Sequence, residues 1–90
     1  MSRLEKLRQR LDLALAPLRC ELIDDSASHA GHAGAASGGS HYNLKIICHQ
    51  FEGLNRISRH RLVYDAVGDM MHTEVHALAI VALTPTEMPT

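Results

Sequence analysis

Residues 51–64 are the stretch that most constrains the fold of this 90-residue chain. Before this stretch, apolar side chains alternate at every second position, as in a strand. Within and after it they recur at every third or fourth position, as in a helix. Gly53 supplies a turn, Ser58 is the expected N-cap of the helix and Gly68 is its expected terminator. The sequence therefore predicts a strand-to-helix junction here.

The helical end of this junction carries the densest run of hydrogen-bond donors in the chain, Arg59, His60 and Arg61. The simplest interpretation is a solvated first turn beside the apolar stripe of the helix. Cations at a helix start are electrostatically unfavourable, however, so we expect Arg59 and Arg61 to serve either folding or docking. Together with Arg56 and Lys45, these three residues are the candidate surface for a partner or a nucleic acid.

The chain before the junction predicts one helix and one strand. Ser2 and Glu5 have the spacing of a capping box, and leucines then recur at helical intervals. Pro17 disfavours helix at the residue before it, so the helix is expected over residues 3–16. Residues 20–24 alternate weakly between apolar and polar, which predicts an edge strand.

Two longer strands flank the junction. Residues 41–49 alternate clearly, and residues 75–83 are almost continuously apolar, as in a strand covered on both faces. A helix in the crossover makes this pair parallel and right-handed. Residues 69–72 are expected to add a helical turn, and residues 84–87 at most one more. The predicted fold is an α+β sandwich in the order α-β-β-α-α-β.

Between the first two strands, residues 26–40 are rich in Gly, Ser, Ala and His and show no apolar period. We predict a flexible loop here, within a single domain that spans residues 1–90. The chain is long enough for one modest core.

Charge and cysteine content exclude several classes of protein. Nine basic and ten acidic residues leave a formal charge of −1, so no global positive field attracts nucleic acid or anionic lipid. Cys20 and Cys48 are expected to be small buried hydrophobes in a reducing compartment. No signal pattern and no apolar run near the roughly 20 residues of a bilayer span is present. A cytoplasmic protein without membrane contact is predicted.

Seven histidines in so short a chain require a reason, because imidazole is the commonest metal ligand. His29 and His32 form a His-x-x-His pair, but two ligands do not close a metal site. From the residues alone, His76 is more typical of a strand end than of a ligand. His60 is expected to hydrogen-bond the preceding loop. Three more are expected at the surface: His41, His49 and His72.

The junction and two later motifs resemble the pattern of the BolA family. The matching residues are Phe51, Gly53, Arg59-His60-Arg61, Val63, Tyr64, Val75-His76-Ala77-Leu78 and Thr84-Pro85-Thr86-Glu87. The resemblance covers nearly the whole chain, although Met88 stands where the family usually has Trp and the loop at 26–40 is somewhat long. It implies a class II KH-like topology, with a three-stranded mixed sheet and helices on one face.

The resemblance also implies a function. In that family, a histidine of the Val-His-Ala motif, here His76, and a loop residue, here His29 with His32 in reserve, bind a [2Fe–2S] cluster. The cluster is shared with a monothiol (CGFS-type) glutaredoxin, whose cysteine and bound glutathione supply the remaining ligands. The expected role is cluster assembly, trafficking or iron sensing. No cofactor is expected in the isolated chain, which we expect to be a monomer able to form a weak homodimer.

Two other classes of function are weighed against this one. A nucleic-acid-binding transcriptional regulator, with DNA as its partner, would use the KH-like fold and the Arg59-His60-Arg61 region. Against it, Asp69-Met70-Met71 stands where a Gly-x-x-Gly loop would join the central helices, and aromatic residues for base stacking are scarce. An enzyme is not predicted, because no nucleophile with its base and no phosphate-binding Gly loop is recognisable.

Overall fold

A computed structural model describes residues 2–25 and 40–87 of the chain. Its helices are α1 (Arg3–Leu15), α2 (Arg56–Val67) and α3 (Met70–Thr73), and its strands are β1 (Arg19–Asp24), β2 (His41–Ile47) and β3 (Ala77–Leu83). Short 3-10 turns occupy His49–Phe51 and Pro85–Glu87. The predicted order α-β-β-α-α-β is confirmed. The predicted flexible loop lies, apart from Ser40, outside the described residues.

The three strands form one mixed sheet in the order β1-β2-β3. β1 and β2 are antiparallel, and β2 and β3 are parallel with His41 opposite Ala77 and Ile47 opposite Leu83. The parallel pairing follows from the crossover, since α2 and α3 carry the chain back to the end of the sheet where β2 began. The predicted mixed sheet is therefore confirmed.

All the described helices lie on one face of the sheet, and the hydrophobic core lies between them and the sheet. Alternate side chains of β2 point into this core, where leucines of α1 and valines of α2 meet them. Each of these side chains contributes about 1.5–3 kcal/mol by leaving water. The residues with no measurable exposure are Leu7, Leu11, Ile46, Ile47, Phe51, Val63, Val67 and Met70.

The opposite face of the sheet is open, and here one prediction is wrong. The apolar run at 75–83 predicted a strand covered on both faces, but Ala79 is exposed and Val81 is 50% exposed. Ile23 of β1, on the same face, is 61% exposed. The reason is that every described helix packs on the other face, so the outward side chains of β3 have nothing to cover them.

The ends of the two longer helices follow their sequence signals, with one correction. Ser2 Oγ accepts a hydrogen bond from Glu5 N at 3.1 Å, and Ala16 ends α1 with φ of +45° before Pro17. Ser58 was predicted to cap α2, but Asn55 is the cap, because its side-chain oxygen accepts from Ser58 N at 2.9 Å. Asn is at least as good an N-cap as Ser, so α2 begins three residues earlier than predicted.

Gly68, at the C-terminal end of α2, has φ of +66° in a region that side chains rarely adopt. A Cβ atom there would lie 3.1 Å from Arg10 Nη1, which donates to Val67 O and Asp69 Oδ1. We expect Gly68→Ala to lower the free energy of unfolding by about 1–3 kcal/mol in urea denaturation. Gly53→Ala is the matched control, since Gly53 also has positive φ but no atom within 4 Å of the added Cβ. Equal losses at both positions would show that the contact with Arg10 does not matter.

Among the described residues, no helix is long and apolar enough to cross a membrane.

Candidate functional site

His76 lies at the end of the sheet where β2 and β3 begin, and its side chain is exposed. Its backbone N–H donates to Ser40 O at 2.9 Å, and Ala77 N donates to the same oxygen at 3.0 Å. Ser40 is itself only 3% exposed, and its hydroxyl donates to Glu74 O. The backbone at His76 is therefore held by hydrogen bonds to Ser40, the residue just before β2, while the imidazole faces solvent.

His41, the first residue of β2, lies against His76. The two ring centroids are 5.2 Å apart with the planes tilted by 51°, and the Nε2 atom of His41 is buried. The sequence predicted that His41 lies at the surface. This is wrong, because the residue is half-buried. The predicted parallel pairing brings the starts of the strands at 41–49 and 75–83 to the same end of the sheet, but the contact also requires the register that sets His41 opposite Ala77.

The segment that carries His29 and His32 begins and ends beside this pair. Asp25, the last described residue before the segment, donates its N–H to His41 O at 2.8 Å. Ser40, the first described residue after it, holds the backbone of His76. Both predicted loop ligands lie outside the described residues. His29 is four residues from Asp25, and four extended residues span up to roughly 14 Å.

Neither cysteine is poised to be a thiolate ligand. Cys48 is 1% exposed and its thiol donates to Leu15 O at 3.1 Å. Burial raises the pKa of the Cys20 thiol, which disfavours the deprotonated form that binds metals. The described residues contain no group of three or more His, Cys, Asp or Glu side chains that could hold a metal ion. Exposed imidazole is thus the candidate metal ligand in this part of the chain, and a metal bound here would need further ligands from elsewhere.

Arg59, from the predicted cationic triplet, is turned inward and its side chain is only 14% exposed. Its Nε donates to Leu54 O at 2.9 Å and its Nη1 to Ala82 O at 3.1 Å. The two terminal nitrogens also contact the two carboxylate oxygens of Glu87, at 2.6 and 3.2 Å. Arg59 therefore joins the junction, the end of β3 and the C-terminal turn.

The ion pair with Arg59 makes stability depend on pH. Hydrogen bonding from Arg59 and from Thr84 N lowers the pKa of Glu87 from 4.5 to about 2. A carboxyl whose pKa is lower in the folded protein stabilises it above the unfolded value, and this stabilisation is lost as pH falls towards the folded value. We expect the urea midpoint of the wild type to exceed that of Glu87→Gln above pH 4.5, and the difference to disappear by about pH 2. A difference that stays constant over this range would contradict the assignment.

Three other members of the predicted cationic surface lie on α2. Arg56 and Arg61 are exposed on α2, and His60 is half-buried between them. Within residues 2–25 and 40–87, none of the three side chains takes part in an ion pair or hydrogen bond. The predicted bond from His60 to the preceding loop is wrong, because Arg59 makes that bond instead.

Lys45 lies apart from the cations of α2. It is on β2 opposite Glu21 and Val81, between the buried Leu44 and Ile46. Because side chains alternate along a strand, Lys45 points to the open face of the sheet, while α2 packs on the other face. The structure therefore separates Lys45 from the cations of α2.

Most of the chain is similar to known proteins. A family model described as BolA-like protein matches residues 11–87. The chloroplastic protein BOLA1 of Arabidopsis thaliana is 41% identical to this chain, over 98% of this chain and 57% of that protein. The chain thus spans little more than half of that relative's length.

Two further similarities concern a structure and a bacterial relative. The solved BolA domain of SufE1 from Arabidopsis thaliana matches with a TM-score of 0.85 and 41% identity, over 98% of each chain. The DNA-binding transcriptional regulator BolA of Escherichia coli (strain K12) is 31% identical, over 92% of this chain and 76% of that protein.

Proposed function

Because this chain belongs to the BolA-like family, we propose that it binds a monothiol glutaredoxin and completes a [2Fe–2S] cluster shared with that partner. Its role would be cluster assembly, trafficking or iron sensing, and no catalysis by this chain is required. One observation carries the proposal: the backbone of His76 is held at the sheet end where the segment bearing His29 begins and ends, and its imidazole is exposed.

The chemistry of the available donors supports a shared site. A [2Fe–2S] cluster takes four ligands, which are commonly thiolates. With Cys48 buried and the pKa of Cys20 raised, this chain would offer His76 and His29, or His32 in its place, as neutral imidazoles. A glutaredoxin cysteine and a glutathione thiol would complete the set. Replacing thiolate by imidazole removes negative charge and raises the reduction potential of such clusters.

In this proposal, the ring of His41 restricts the rotamers of His76 and so orients the imidazole towards the cluster. We expect His41→Ala to reduce cluster retention in the complex by about 10–100-fold, the usual effect of losing a residue that orients a ligand. Cluster loss is followed by visible absorption after dilution into a chelator. His41→Phe keeps a ring against His76 and should restore most of the retention. If His41→Phe loses the cluster as fast as His41→Ala, then contact between the rings is not what matters.

The proposal as a whole is tested by co-expression with the monothiol glutaredoxin of the same host. The expected result is a co-purifying complex with the visible absorption and circular dichroism of a [2Fe–2S] centre. A colourless complex would remove the cluster from the proposal and leave the partner. Failure of the two proteins to co-purify would remove both.

Nucleic-acid binding is the second candidate. It is supported by the name of the Escherichia coli relative and by Arg56 and Arg61, exposed on one helix without ion pairs in the described residues. Against it, Arg59 is held by Glu87, and Lys45 is on the other side of the sheet. Phosphate contacts make affinity fall steeply between roughly 50 and 200 mM salt, so a salt titration with a DNA duplex discriminates the two candidates.

The proposed compartment is a reducing one, because neither described cysteine is in a disulfide. The cytoplasm was the expectation from the sequence. The Arabidopsis relative is chloroplastic by name, so an organelle is the alternative compartment.

A further inference from the structure

β3 is an edge strand of the sheet. The direction in which each of its backbone groups points follows from two hydrogen bonds, one at each end of the strand. Ala77 N donates to Ser40 O and Cys48 N donates to Leu83 O, so residues 77 and 83 turn their backbone groups towards β2. In a parallel strand, the N–H and C=O of one residue point to the same side, and the side alternates along the chain. Leu78, Ile80 and Ala82 therefore turn their backbone groups outward, away from the sheet.

Within the described residues, only one of these outward backbone groups has a hydrogen-bond partner. Arg59 Nη1 donates to Ala82 O at 3.1 Å, and so covers the last acceptor of the edge. The N–H groups of Leu78, Ile80 and Ala82 and the C=O groups of Leu78 and Ile80 have none. Such a row is a template for an added strand unless the protein covers it.

A groove of about 450 Å³ runs beside the second half of this row. Its walls are residues 80–83 of β3, Leu54 just before α2, and the start of α2 with Arg56 and His60. Leu54 and Ile80 are only half-buried, so the lining of the groove offers apolar surface. Arg56 has no anion partner among the described residues, and Glu87, the one carboxylate in the lining, is occupied by Arg59.

We propose that this groove binds an extended, acidic peptide segment of a partner protein, which pairs with the outward groups of β3 as a fourth strand. Outward groups recur every second residue, roughly 6.6 Å apart, which is the repeat of an extended peptide. Arg56 is placed to bind a carboxylate of the segment. A single-stranded nucleic acid fits less well, because the lining has no Phe, Tyr or Trp on which bases could stack. The proposal does not depend on the cluster.

The occupant is tested by selecting a randomised library of ten-residue linear peptides on the purified chain. The expected peptides carry Asp or Glu at alternate positions, and we expect Arg56→Glu to weaken their binding at least tenfold. Arg61→Glu is the matched control, since it makes the same charge change on the same exposed helix but outside the groove lining. Melting curves confirm that both variants fold. Selected peptides without acidic residues, or equal weakening by both variants, overturn the proposal, as does a selection that yields no binder.

The mode of binding is tested by residue-resolved amide exchange with a selected peptide bound. Protection should rise at the outward amides of Leu78, Ile80 and Ala82, at least tenfold, and stay unchanged at Ala79 and Val81, which already face β2. Uniform protection, or none, overturns strand addition. A ten-nucleotide oligothymidine is titrated in parallel. If it binds more tightly than the peptide and protects the same amides, the groove is a nucleic-acid site and the proposal is wrong.

Discussion

Replacing His76 with alanine is expected to abolish the cluster-bridged complex with a monothiol glutaredoxin. The backbone at His76 is fixed by Ser40, and the nearest other imidazole, that of His41, has its Nε2 buried. Among the described residues, His76 is therefore the imidazole best placed at this end of the sheet to bind a cluster. Absorption and circular dichroism spectra of the co-purified complex provide the measurement. His72→Ala is the matched control, because it removes an exposed imidazole from α3 and should leave the spectra unchanged.

A normal cluster spectrum in the His76→Ala complex would rule out His76 as a ligand.

Substitutions of the loop histidines should have a different effect from His76→Ala. We expect His29→Ala to weaken the complex without abolishing it, because His32 follows three residues later and can replace it at an ordering cost of about 1–2 kcal/mol. Removing both imidazoles should then resemble His76→Ala. If the double variant keeps its cluster, neither histidine is the second ligand.

The largest expected effect on stability is that of Phe51→Ala. Phe51 has no measurable exposure and is the largest fully buried side chain described. It lies in the 3-10 turn between β2 and α2, so its ring anchors the junction to the core. Truncating a buried Phe to Ala typically costs about 3–5 kcal/mol, against a total stability of about 5–15 kcal/mol for a small domain. Urea denaturation followed by circular dichroism should show this loss.

Two controls make the Phe51 result specific. Phe51→Leu keeps most of the buried volume and should cost clearly less than Phe51→Ala. Ile57→Ala removes an apolar side chain that is 65% exposed in the first turn of α2, and should change stability by no more than about 0.5 kcal/mol. If Phe51→Ala costs no more than Ile57→Ala, the junction is not anchored by the ring.

The sequence by itself determined the order of the elements, because that order is written in local periodicity and in residues that act on their own neighbours. Ser2 and Pro17 set the two ends of α1, and Gly68 ends α2. The parallel pairing of β2 and β3 followed as well, since a helical crossover between two strands leaves few other arrangements. Ser58 was mistaken for a cap because Asn55, three residues earlier, carries an equally good local signal.

The tertiary structure alone decided where the side chains of the site point and what they touch. Arg59 was expected to serve either folding or docking, but the sequence could not name its partners, because Ala82 and Glu87 lie 23 and 28 residues away and leave no local pattern. The contact between His41 and His76 likewise depends on strand register. The open face of β3 depends on every described helix packing on the opposite side, which an apolar run cannot report. Periodicity records which residues are apolar, but what covers them is decided only when distant elements meet.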